Sequence, residues 1–401
     1  MPSSASYLGP TPASSTPRFK LPEVSGHRDV HDNDAKLLSI SRDFRSDTLT
    51  IPTDSMMEAM KLASRGDDVY QEDETTTSFQ ASINALTGKE ASLFVVSGTM
   101  SNQLALRSHL MQPPYSVLLD VRSHVNKYEA GGLAFHSGAT SIALTPSNGK
   151  YLRWEEDVLP NLVEDDGDVH FAPTRVVSLE NTLAGNIFPQ EEILKISTGC
   201  KERGIILHLD GARLWNVAAQ TGMSMEELCE PFDTVSLCLS KGLGAPVGSI
   251  LIGPQSIIRK ATHFRKLFGG GLRQTGPVVA AARVALEEHF YKLKGTHELA
   301  KWMEGELREL GVGMLQEVET NMLWLDPSPI GLSNAAINAR LKALHPTPIK
   351  AGLPRVVIHH QTDPAAAREL VEVIKEMKRE RESGKRGEVV GNGEKKGTYG
   401  R

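Results

Sequence analysis

Cysteine is scarce in this chain of 401 residues: there are three, Cys200, Cys229 and Cys238, and no two share a CxxC spacing. That pattern is neither a disulfide framework nor a metal cluster, so no metal is expected and a reducing, cytoplasmic compartment is. Long apolar runs are missing too. No stretch approaches the roughly 20 residues that cross a bilayer, which excludes an expected membrane span. Excess positive charge is absent: 44 Lys and Arg against 49 Asp and Glu leave −5, with no basic field to gather nucleic acid. The N-terminus has no charged-then-apolar secretory pattern, and sparse Arg and no amphipathic period leave a transit peptide only as the weaker reading of its Ser-, Pro- and Thr-rich start. Neither a GxxxxGK[ST] loop nor a GxGxxG turn follows any apolar run, which disfavours nucleotide and dinucleotide binding.

What is present reads as a globular protein, with 40% hydrophobic and 23% charged residues. The Ser- and Pro-rich extension over 1–38 and the charged tail over 381–401 bury too little to offset ordering entropy, and both are expected to be unordered. Between residues 90 and 255, short apolar runs alternate with helical periods. Strands are expected at Ser92–Val96, Val117–Asp120, Ser141–Leu144, Arg175–Leu179, Ile205–Leu209, Thr234–Leu239 and Ser249–Ile252, with a helix over Gln190–Glu202. Continuous β-branched and Leu runs of this kind suit strands covered on both faces. The order predicts a large α/β domain over 39–290, with a mostly parallel seven-stranded sheet between helices. A smaller α+β domain is expected over 291–380, with strands at Thr320–Leu325 and Arg355–His359.

Ligands of open α/β sheets bind beyond the carboxyl ends of the strands, so polar residues just after strands carry the most information. Lys241 follows Val235–Leu239 among Gly242, Gly244 and Gly248. A solvated turn lysine is the commoner meaning of that pattern alone, but desolvation there would suit a nucleophilic amine. Asp210 ends the run Ile206–Leu209. A helix cap is its bland meaning, whereas a buried carboxylate in that place calls for a cation, such as the pyridine nitrogen of pyridoxal phosphate (PLP). Gly98 and Thr99 stand between a strand and a helix start, where free backbone N–H groups meet an anion.

The runs DFRSDTLT (43–50), GDDVY (66–70), SGTMSN (97–102), YEAGG (128–132), LENT (179–182), LDGARLWN (209–216), LSKGLGAPVGS (239–249) and FGGGLRQTG (268–276) resemble the L-threonine aldolase family. That family belongs to the aspartate-aminotransferase-like PLP enzymes, and the likeness runs in order from Asp43 to Arg355. The resemblance implies that Lys241 holds PLP as a Schiff base, that Asp210 holds the pyridine nitrogen, and that Gly98 and Thr99 hold the phosphate. It implies a phosphate-side arginine at Arg273 reaching across a subunit boundary, and an imidazole at His124 stacked on the cofactor ring. Ser46, Arg213 and Arg355 match groups that grip the substrate carboxylate, and His170 matches a second active-site histidine. Either histidine would serve as the base. Family members are dimers or tetramers with shared sites, so a homo-oligomer is implied. Leu183 stands where bacterial members often carry His after LENT, which weakens a role for a histidine there.

The implied reaction is cleavage of threonine-like β-hydroxy-α-amino acids to glycine and an aldehyde. Alanine racemisation on the same frame is the nearest alternative. A catalytically silent chain is disfavoured, because it has no need of Lys241, Asp210, Gly98, Thr99 and Arg213 together.

Overall fold

The computed structural model describes residues 32–384, so what is expected of residues 1–31 and 385–401 lies outside the described residues. All seven strands of the larger domain form: β1 Ala91–Val95, β2 Ser116–Asp120, β3 Thr140–Leu144, β4 Thr174–Glu180, β5 Ile206–Gly211, β6 Thr234–Cys238 and β7 Ser249–Gly253. They make one sheet in the order β1-β7-β6-β5-β4-β2-β3. The five strands from β3 to β6 run parallel, and β7 runs antiparallel to both β6 and β1. β1 therefore points the same way as β6, and the carboxyl ends of β1 to β6 share one edge. The apolar runs of β1, β2, β6 and β7 are buried throughout, as expected when helices cover both faces. β3 ends the sheet, and Thr140, Ser141 and Ala143 are exposed there.

Helices begin where short polar side chains meet orphan backbone donors. Thr53, Asp73 and Ser97 each accept from the N–H three residues on. The Gln190–Glu202 helix forms over the expected residues and turns Ile193, Ile196 and Cys200 inward. Among the described residues, no helix is long and apolar enough to cross a membrane.

The smaller domain holds β8 Gly313–Met314, β9 Met322–Asp326 and β10 Arg355–Val357 in the order β10-β9-β8. β8 has two residues, too few for any periodic signal. Met303, Leu307, Leu323, Val356, Leu370 and Ile374 form this domain's core.

Three expected boundaries are corrected. The segment after residue 39 packs with the smaller domain. Phe44 is fully buried in that core, a burial worth roughly 2 kcal/mol. Its N–H donates to the Lys350 carbonyl (2.7 Å), and its own carbonyl accepts from Val357 (2.8 Å). Residues 33–38, expected to be unordered, lie in the helix Asn33–Ser41, which Asp32 caps through Ala35. Arg381 and Glu382, expected in the tail, end the helix Pro364–Glu382, which Asp363 caps and a Lys378–Glu382 pair supports.

Candidate active site

The shared carboxyl edge gathers the polar residues. After β1, Ser97 caps the twelve-residue helix Gly98–His109 by accepting from Met100 (3.1 Å). The N–H groups of Gly98 and Thr99 remain as first-turn donors at the positive helix end, ready for an anion. Nothing larger than glycine fits at 98, since a Cβ would lie 2.6 Å from Cys238 Sγ.

Asp210, the last residue but one of β5, is buried. Its Oδ1 accepts from the Ala212 N–H (3.0 Å) and its Oδ2 from Asn102 Nδ2 (2.8 Å). Asn102 lies one helical turn after Gly98. Its amide also donates to Glu129 Oε1 (2.9 Å), and its oxygen faces His208 Nε2 (3.2 Å). Burial pushes His208 down to about 4, so the ring is neutral. Its partners assign the tautomer: Nε2–H donates to Asn102, and Nδ1 accepts from the Thr234 hydroxyl (2.9 Å).

Beyond β2, the His124 N–H donates to Glu180 Oε2 (2.7 Å), and its Nδ1 lies 2.9 Å from Glu129 Oε1. Burial disfavours a charged His124, yet the Glu129 carboxylate and then Asp210 win, so its pKa is raised. Nδ1 is thus the protonated corner, and Nε2 is left for a ligand. A ring nitrogen of His124 and a carboxylate oxygen from each of Glu129 and Asp210 all lie within 4.8 Å of one another.

Glu180 ends β4. Burial, and then the neighbouring Asp210, push its carboxyl up to about 7. A carboxyl with a raised folded pKa stabilises the fold below its unfolded value of 4.5, and that contribution is lost as pH rises through 7. The shift corresponds to about 3 kcal/mol. In cofactor-free protein, Glu180→Gln is expected to gain on wild type by roughly 5 °C in thermal midpoint between pH 5 and pH 8. A midpoint difference that stays flat across that range would show that Glu180 is ionised throughout.

β6 leads into the turn that carries Lys241. Among the described residues its Nζ has no hydrogen-bond or ion-pair partner, while its charge acts on Asp47, Glu180 and His124. Arg213, just past β5, donates through Nε (2.8 Å) and one terminal nitrogen (2.6 Å) to buried Asp47. Burial opposes the Asp47 charge, but the Arg213 guanidinium holds that carboxyl at about 2. Ser46 precedes Asp47 and bonds Thr48 (2.9 Å), and Arg355 donates to the Arg45 carbonyl (3.0 Å).

The structure therefore brings Lys241, Asp210, His124, Gly98, Thr99, Arg213 and Ser46 to one edge, with Arg355 reaching the segment that carries Ser46. It does not bring His170 there. His170 stands four residues before β4, at the opposite edge. Seven strand residues at about 3.3 Å each put roughly 20 Å between the two edges. Its side chain is 81% exposed and pairs with Asp168 (2.7 Å). Within its own chain, the expected place of His170 in the site is corrected. Arg273 is half-exposed and pairs with Asp67 (3.1 Å). Asn102, Glu129, Glu180, Asp47 and His208 were given no role by sequence reasoning. Four of the five lie inside motifs that carry the family resemblance and His208 stands directly before one, and that was the available signal.

A site that leaves an amine without a partner asks for a carbonyl compound, and a carboxylate fixed by two donors asks for a cation. An aldehyde, a pyridine nitrogen and a phosphate for the helix end are the three parts of PLP, and the residues present fit it. Fold and site together define a PLP-dependent enzyme of the aspartate-aminotransferase-like class. Residues 43–328 match the model of the beta-eliminating lyase family, and the chain belongs to that family. It is 54% identical over 286 residues to the low-specificity L-threonine aldolase of Candida albicans, covering 71% of this chain and 76% of that protein. It is 39% identical to an alanine racemase of Cochliobolus carbonum, over 84% of this chain and 87% of that one. Among solved structures, a Leishmania major threonine aldolase superposes with a TM-score of 0.70 at 20% identity, covering 84% of this chain and 99% of that one.

Proposed function

We propose that this chain is a threonine aldolase: it cleaves L-threonine, L-allo-threonine and related β-hydroxy-α-amino acids to glycine and an aldehyde, with PLP held at the carboxyl edge of the sheet. The observation that carries this reading is the Lys241 amine, without a hydrogen-bond or ion-pair partner among the described residues, beside buried Asp210 and half-buried His124. Lys241 would hold the cofactor's carbonyl carbon, Asp210 its ring nitrogen, and the Gly98 and Thr99 N–H groups its phosphate. When bound, PLP supplies an electron sink for the pair released at Cα.

The chain's residues supply orientation and proton transfer. Arg213, Ser46 and Arg355 hold the substrate carboxylate, and that grip decides which Cα bond is aligned for cleavage. His124 would lie against the cofactor and offer Nε2 to the β-hydroxyl proton, with Glu129 at Nδ1 stabilising the charged imidazole. Lys241 returns a proton when the product leaves.

We read the working form as a homo-oligomer, dimer or tetramer, in which a second copy brings His170 and Arg273 to the site. Support comes from their exposure and from exposed apolar neighbours: Val169 at 92%, Phe171 at 61% and Leu267 at 73%. The three cysteines are buried and unpaired, which suits a reducing, cytoplasmic setting. The deciding experiment incubates purified holoenzyme with L-threonine, L-allo-threonine, their D forms and L-alanine, and identifies products. Glycine plus aldehyde from the L-hydroxy acids is expected. D-alanine as the main product would favour racemisation, the activity named for the 39%-identical relative.

Arg213→Lys tests the carboxylate grip. Two guanidinium donors are taken by Asp47, which leaves three for the substrate; an ammonium has three in all. Cleavage is expected to fall about 10²-fold, with a smaller fall in Cα-deuterium incorporation into alanine. An unchanged ratio of the two rates would mean that Arg213 supplies affinity alone.

A further inference from the structure

His289 and His360 are titratable, packed inside the protein, and outside the site described above. His289 ends the helix Gly276–His289, and its Nδ1 donates to the Leu243 carbonyl at 2.7 Å. Among the described residues its Nε2 is buried without a hydrogen-bond partner, and so are both ring nitrogens of His360. The two rings stack with centroids 4.1 Å apart and planes 30° from parallel. His360 follows β10, so the stack joins the smaller domain to a helix of the larger one. Its ring also presses on Gly244, where φ is +77° and a Cβ would lie 2.3 Å from His360 Cε1. Leu243 and Gly244 belong to the turn that begins at Lys241: the Gly244 N–H donates to the Lys241 carbonyl (2.8 Å), and Ala245 to Leu239 (3.0 Å). Beside the stack, Gln361 clasps Ile51 through both of its backbone groups, at 3.0 and 2.8 Å.

We propose that the His289–His360 stack positions the Lys241 turn against the smaller domain while both rings are neutral, and releases it when either ring takes a proton. The proposal rests on Lys241 being the cofactor lysine; the exchange measurement below does not. A proton on any of these three nitrogens would be a buried charge that no hydrogen bond among the described residues satisfies. Lys292, from the next helix, and His359 disfavour that charge on His360, and the first ring disfavours it on the second. Glu288 opposes them at His289, and the Gly242 backbone opposes them at His360. Burial, together with these neighbours, pushes His289 below its ordinary value and His360 to about 3. With folded values below the ordinary 6.5, the closed turn is fully favoured above that pH. It weakens about tenfold per unit as pH falls, until the folded value is reached.

The test is hydrogen exchange of the Gly244 and Ala245 amides in the holoenzyme, corrected for the intrinsic rate, from pH 7.5 to 5. In wild type, turn opening is expected to rise about tenfold per pH unit below 6.5. His360→Phe keeps a stacked ring that cannot charge. It should stay within about threefold of wild type at pH 7.5 and lose at least half of the slope. His360→Ala should raise opening about tenfold or more at pH 7.5. An unchanged slope in the Phe variant, or unchanged opening in the Ala variant, overturns the proposal. If a variant fails to fold, nitrogen-15 spectra of the wild-type histidines decide: both rings neutral at pH 5.5 supports it, and either ring half-charged near 6.5 overturns it. Failure of threonine cleavage would sink the proposed function and leave these outcomes untouched.

Discussion

Lys241→Ala is expected to abolish carbon–carbon cleavage, lowering kcat on L-allo-threonine by about 10⁴-fold or more, while the protein stays folded. The two halves of that expectation have separate grounds. Lys241 is asked to anchor the cofactor's carbonyl carbon and to move a proton, and an alanine methyl does neither. For the fold, its amine has no hydrogen-bond or ion-pair partner among the described residues, so its removal should change stability by about 0.5 kcal/mol or less. Near-complete loss of turnover beside an unchanged melting curve is the signature of a reactive residue. Borohydride reduction of the wild-type holoenzyme followed by peptide mapping gives a second reading. The phosphopyridoxyl label should sit on Lys241. A label on any other lysine, or a variant within tenfold of wild type, would end this assignment.

The larger domain was legible because burial on both faces writes itself into sequence as continuous apolar runs. β2, β6 and β7 lie where Val117–Asp120, Thr234–Leu239 and Ser249–Ile252 placed them, with small shifts at the ends. The place of the Phe44 segment was not legible. A single aromatic does not say which core it joins, and the answer depends on the edge that β10 offers far along the chain. The same distinction runs through the site. Lys241 follows β6 and Asp210 stands at the end of β5, so the rule of carboxyl ends located them, whereas His124 was reached through the family likeness. Asn102 and Glu129 act only through pairing with Asp210 and His124, and such pairing is a property of tertiary geometry. His170 shows the reverse failure: the family likeness assigned it to the site, but it precedes β4 at the amino edge of the sheet, where the parallel strands begin and the site does not lie. Asp47 was hidden by adjacency, one residue after Ser46, with nothing in the pattern to tell a carboxylate that neutralises Arg213 from one in a turn.

Asp210→Asn is expected to lower kcat by about 10²- to 10³-fold while leaving PLP bound. In wild type both carboxylate oxygens are occupied, one by the Ala212 N–H and one by Asn102 Nδ2. An amide has one acceptor oxygen, so one of these donors must face an NH₂ group, at a cost of about 1–3 kcal/mol for the unsatisfied pair. The ring nitrogen also loses its counter-charge, and the electron sink weakens with it. The Gly98 and Thr99 N–H groups and Lys241 are unaffected, which is why retention of the cofactor is expected. Asp210 is also one of the causes that raise the Glu180 pKa. Removing its charge should therefore move the Glu180 titration down from about 7, and the pH dependence of stability should shift to lower pH in the same variant. Steady-state rates within a few-fold of wild type would show that Asp210 does not hold the ring nitrogen. A slow variant whose Glu180 transition stays in place would show that burial alone, without the Asp210 charge, sets the acidity at the end of β4.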